Sequence, residues 1–145
     1  VDFGALEKHY LFNKHNNEED ILPLFSDLTN PTPALGWESK ERLSFFERGP
    51  ADAILALAII HHLAIPFNVP FSYLAHAFSK MGKHLIVEFI EKSDSQVQVL
   101  LSSREDIFDH YSQADFEKEF SAFFRIIKSK QIKGSKRMLY LMEKR

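Results

Sequence analysis

The longest apolar stretch of the chain is AILALAIIHHLAI, residues 53–65, uncharged apart from two adjacent histidines. An uninterrupted apolar run of this kind predicts a strand buried on both faces, the habit of parallel sheets. The polar pair His61 and His62 falls where that strand should stop, and open parallel sheets bind ligands outside the carboxyl ends of their strands. Two shorter apolar runs, ILPLFSDL (residues 21–28) and HLIVEFI (residues 84–90), predict further buried strands. Pro23 argues against a central, fully paired position for the first of them.

Between these runs the period changes. Phe3, Leu6 and Tyr10 are spaced by three and four and predict a short amphipathic helix ending near residues 13–17. TNPTPALGW, residues 29–37, is a loop by its prolines and glycine, and residues 38–49 are a surface helix or an irregular crossover. Phe67, Phe71, Leu74, Phe78 and Met81 form a helical stripe, with Asn68 as its cap, Pro70 in its first turn and Gly82 as its stop. Ser93 with Gln96, and Ser112 with Asp115, have capping-box spacing ahead of two more helices. Two β-rich runs flank Gly134 and predict an antiparallel hairpin. Strands alternating with helices and closed by a hairpin predict one α/β domain over residues 1–145. Its Rossmann-like mixed sheet carries helices on both faces.

Composition narrows the class. The chain has 145 residues, 45% hydrophobic and 26% charged, enough for one ordinary core. A net charge of −2 gives no general attraction to nucleic acid. Cysteine is absent, which excludes thiolate chemistry within these residues. No stretch is apolar over the roughly 18 residues of a membrane span, and no signal peptide opens the chain, so it is read as cytoplasmic. The basic tail, with Lys128, Lys130, Lys133, Lys136 and Arg137, reads as a solvated strand face rather than a phosphate-binding patch.

The order of these runs resembles the C-terminal two-thirds of a class I S-adenosylmethionine-dependent methyltransferase. ILPLFSDL resembles that fold's third strand, AILALAIIHHLAI its fourth, HLIVEFI its fifth, and the final hairpin its sixth and seventh, whose antiparallel pairing marks the fold. The DLTNPTPALGW and SREDIF segments resemble a bacterial subgroup related to nodulation-type methyltransferases. The resemblance implies that Asp27, with Leu28 beside it, binds the adenine end of S-adenosylmethionine, and that Asp2 holds its ribose. It also implies a first strand and a glycine-rich loop that the chain lacks. The expectation is therefore a methyltransferase domain with no assigned substrate, inactive as an isolated fragment. The competing reading is a non-catalytic interaction domain derived from the same fold. A nucleotide-binding α/β protein of another kind is weaker still, because no phosphate loop supports it.

Each candidate has a plainer alternative. Asp27 could simply close a turn by bonding Thr29 or Asn30. Adjacent strand residues point to opposite faces, so His61 and His62 are not expected to share a metal, and no metal site is expected. One histidine should pack against a helix, while the other, if it faces the methyl-donor pocket, can take a proton from an acceptor hydroxyl or amine. Glu88, inside an apolar strand, needs a partner or a raised pKa; it either faces the substrate site near the strand's end or pairs with a nearby cation. Trp37 either packs its loop down or walls a ligand. The missing central strand would leave the strand at residues 53–65 with an unpaired edge. Either ILPLFSDL slides across to pair with it, or a second copy of the chain does, giving a homo-oligomer.

Overall fold

The computed structural model describes residues 2–145, which form two compact units, 1–45 and 46–145. In the first unit, Asp2 caps helix α1 (Phe3–Asn16) by accepting the Ala5 N–H at 3.0 Å. The helix ends where Asn17 takes a left-handed conformation, φ 52°. It is less one-sided than its spacing predicts: Phe3, Tyr10, Leu11 and Phe12 are all exposed, and Asn13 is its buried residue. Asn13 donates to the Ile21 carbonyl at 2.9 Å, and Phe3 stacks on Phe25, so the helix is tied to the segment that follows it.

That segment corrects the first strand prediction. Residues 21–28 form no strand, and Ile21, Leu22, Leu24 and Phe25 are exposed. Pro23 removes one ladder donor, and among the described residues no strand pairs with this run. The alternative in which ILPLFSDL slides across to pair with the next strand is likewise not what forms. The loop beyond it turns through two short 3₁₀ segments, Trp37–Ser39 and Phe46–Arg48. Trp37 is exposed rather than packed.

The second unit is a mixed α/β layer. Strand β1 (Ala51–Ala56) leads into a short helix α2 (Ile60–Ala64) and then α3 (Phe71–Met81). Strand β2 (Gly82–Phe89) is followed by α4 (Ser95–Leu101), α5 (Gln113–Ser121), β3 (Phe124–Gln131) and β4 (Met138–Lys144). The sheet order is β1-β2-β4-β3, with β1 and β2 parallel and β4 antiparallel to both of its neighbours. The chain therefore has the α/β class, the parallel pair and the terminal hairpin that its pattern predicts. Gly82 is needed where the parallel strands converge. A Cβ there would lie 2.7 Å from the Ile54 side chain and 3.1 Å from the Ala51 carbonyl.

The long apolar run at 53–65 is the second correction. It is not one strand: β1 ends at Ala56, Ala58 adopts φ 50°, and the remainder coils into α2. An apolar run cannot be assigned to strand or helix by periodicity alone. Here Ile60, Leu63 and Ala64, spaced by three and one, are buried together on one helical face. Capping also differs in detail. Pro70, not Asn68, precedes α3, and Asn68 itself is left-handed at φ 55°. Asp94, not Ser93, caps α4 by accepting the Gln96 N–H. The Ser112–Asp115 box forms as expected, the Ser112 hydroxyl accepting the Asp115 N–H and donating to the Asp115 carboxylate.

The core of this unit is an aromatic chain. α3 buries Phe71, Leu74, Ala75 and Phe78, the stripe its spacing predicts, although Phe67 falls outside the helix and is exposed. Phe116 of α5 lies against Phe71, Phe89, Phe120 and Tyr140, and Phe120 continues to Phe124. Much of the phenylalanine content is thereby spent in joining two helices to three strands. Among the described residues no helix is long and apolar enough to cross a membrane.

Candidate functional site

The carboxyl ends of β1 and β2 carry the chemistry. Just beyond β1, the left-handed Ala58 redirects the chain into α2 and its histidine pair. A non-glycine residue at positive φ is costly and persists only where its surroundings hold it. The holding group is Glu88 near the end of β2, whose carboxylate accepts the Ala58 N–H at 2.8 Å. Glu88 is buried, and Arg137, at the start of the hairpin's last strand, donates to it at 3.4 Å while donating to Asp94 at 2.9 Å. The Glu88 charge thus has both the cation and the hydrogen bond it needs. Burial works against the Asp94 charge, yet the Arg137 bond and the Gln96 N–H hold its carboxyl below the usual range. Arg137 is bound by two acids, so this member of the basic tail is not a solvated strand residue.

His61 and His62 sit on consecutive helical positions with ring centroids 4.1 Å apart. His61 is 3% exposed and its Nδ1 has no hydrogen-bond partner, whereas His62 is exposed. One histidine is packed and the other accessible, a division that comes from helical geometry rather than strand alternation. Burial pushes the His61 pKa down to about 4, with the neighbouring His62 and Arg137 charges acting in the same direction. His61 is therefore neutral in the folded protein at pH 7.

That depression has a sign that can be checked. The unfolded chain takes up the His61 proton near the ordinary value of about 6.5, the folded chain only near 4. Stability from this group is complete above pH 6.5 and is lost as pH falls from 6.5 towards 4. Urea denaturation across that range should show a fall in unfolding free energy that His61→Gln reduces. An unchanged pH dependence in the variant would contradict the burial of a neutral imidazole.

In the first unit, Asp27 is exposed and closes an Asx turn, its Oδ1 accepting the Thr29 N–H at 2.9 Å and the Thr29 hydroxyl at 2.7 Å. The hydroxyl bond, then the backbone one, holds its carboxyl below the usual range. Leu28 beside it is half-buried, and Asp2 is the cap of α1. Among the described residues no three acids or histidines gather as a metal-ligand set.

Arg137 was missed as a site residue by sequence reasoning. Its only signal is an arginine at the foot of an apolar strand that pairs alongside the odd carboxylate Glu88.

Comparison with known proteins gives one informative likeness. Over 126 residues, 87% of its length, the chain is 41% identical to a protein named nodulation protein NoeA from Rhizobium meliloti (strain 1021). It spans only 26% of that relative's length. No protein-family model and no solved structure matches the chain.

Proposed function

We propose that this chain is the C-terminal part of a class I S-adenosylmethionine-dependent methyltransferase domain. The observation that carries the reading is the sheet. A parallel pair is followed by an antiparallel hairpin, the order implied for the fourth to seventh strands, although the implied third strand at residues 21–28 does not form, and the histidine-bearing helix α2 follows the carboxyl end of β1. The likeness to a nodulation protein supports the subgroup but names no reaction.

The residues proposed to hold one end of the cofactor are Asp27, Leu28 and Asp2. Both Thr29 bonds fall on Asp27 Oδ1, which leaves the carboxylate able to accept an adenine amino group through its other oxygen. Asp2, at the head of α1, is the proposed ribose acid, and Leu28 the apolar neighbour of the adenine. The five glycines stand at 4, 36, 49, 82 and 134, and no two are close enough to form a loop for the methionine end. The 145-residue chain assayed alone should therefore bind S-adenosylmethionine weakly or not at all.

The bound cofactor would supply an activated methyl group, and what remains for the protein is alignment and removal of one proton. His62, accessible and neighbour to a neutral His61, is the proposed base for an acceptor hydroxyl or amine. His61 packs the turn and keeps a second positive charge away from it.

A second reading, in which the domain also assembles, is favoured by β1. Among the described residues this strand pairs only with β2, and Leu55 on it and Leu57 just beyond its end are 66% and 51% accessible. Such an edge is a template for another strand. Sedimentation at micromolar concentration should find a dimer that Leu55→Lys dissociates. A monomer at every concentration would contradict it.

A further inference from the structure

We propose that the cleft between the first turn of α3 and the loop 105–111 is a binding pocket for a small, uncharged aromatic molecule. Its identification as the methyl acceptor rests on the methyltransferase reading; the binding itself does not. The cleft has a volume of about 570 Å³, within the range of small-molecule sites. Its walls are Val69, Pro70 and Phe71 on one side and Ile107, Phe108 and Tyr111 on the other.

Three ties brace the loops around the cleft. Arg104 donates to the Ile65 carbonyl at 2.7 Å, joining the loop after α4 to the loop after α2. Lys92 bridges to Asp106 at 2.8 Å. The Tyr111 hydroxyl donates to the Ile90 carbonyl at 2.9 Å, so this ring is fixed at the end of β2, 5.2 Å from the Phe71 ring. A pocket already open loses little freedom on binding.

The chemistry of the occupant follows from the lining. Phe71 and Tyr111 pack on each other as a buried aromatic pair, and with the half-buried Phe108 beside them they favour a flat π-system laid against that pair rather than between its rings. Lys118 is outnumbered by Asp115 and Glu119, which disfavours an anion, and Ser72 and Asn68 offer hydrogen bonds to a polar substituent. Ala64, one helical turn beyond His61, forms part of the same wall, so the pocket opens on the helix that carries the histidine pair.

The test is a chemical-shift titration of the ¹⁵N-labelled chain with indole and, separately, with benzoate, in the absence of cofactor. Indole should give saturable shifts in the roughly millimolar range proper to a fragment, centred on residues 68–72 and 107–111, with benzoate binding at least several-fold more weakly. Ser72→Trp, which fills the cleft, and Ile107→Glu, at an exposed position that tolerates change, should each weaken indole about tenfold. Shifts confined to residues outside the cleft, or indole binding unaltered in a folded Ile107→Glu protein, would overturn the proposal. Because no methyl donor is present, the result is independent of whether the chain transfers methyl groups.

Discussion

Phe116→Ala should destabilise the second unit by about 3–5 kcal/mol. The side chain is fully buried, and its ring lies 4.3 Å from Phe120, 5.1 Å from Tyr140, 5.2 Å from Phe89 and 5.7 Å from Phe71. It is therefore the point at which α5 meets α3, β2 and β4. Truncating a buried phenylalanine costs about 3–5 kcal/mol, because transfer free energy is lost and a cavity remains. Domains of this size are stable by only about 5–15 kcal/mol. Urea denaturation followed by circular dichroism should show a clearly lowered midpoint with an unchanged slope, corresponding to that loss. A loss below about 1 kcal/mol would mean that the aromatic chain does not form the core.

Glu88→Ala has a comparable effect by a different route. The substitution leaves the Ala58 N–H without its acceptor at a left-handed residue, and removes one of the two acids that neutralise Arg137. Breaking a buried, hydrogen-bonded charge pair costs about 3–5 kcal/mol, and partial exposure of Arg137 with its second partner Asp94 reduces this to about 2–4 kcal/mol. Glu88→Gln keeps an oxygen for the Ala58 N–H and should recover roughly half of the loss. The two variants should also differ at the histidines. In Glu88→Ala the turn is released and the His61 imidazole resonances should begin to titrate nearer 6.5, whereas in Glu88→Gln they should stay close to wild type. Equal stability of the two variants would show that the Ala58 contact contributes nothing.

What the sequence revealed, and what it hid, follows from which signals are local. The α3 stripe, the Ser112–Asp115 cap and the hairpin around Gly134 are encoded within one or two turns of chain, and they form where expected. The run at 53–65 was ambiguous because an apolar sequence suits a buried strand and a buried helix equally. The break lies at Ala58, whose left-handed backbone is held by Glu88, thirty residues away. Residues 21–28 have strand-like composition, but a strand needs a partner, and a short apolar run does not say whether one is present. At the site, the oddness of Glu88 within its strand was legible. Arg137 was hidden among the tail lysines because its acids are distant in sequence.

The proposed function requires that the domain containing this chain bind S-adenosylmethionine through Asp27. Calorimetric titration of the cofactor into the protein in its full natural length tests it most directly. Micromolar binding is predicted, weakened at least several-fold in Asp27→Ala, which removes the proposed acceptor of the adenine amino group. Absence of binding, or an affinity that Asp27→Ala leaves unchanged, would contradict it.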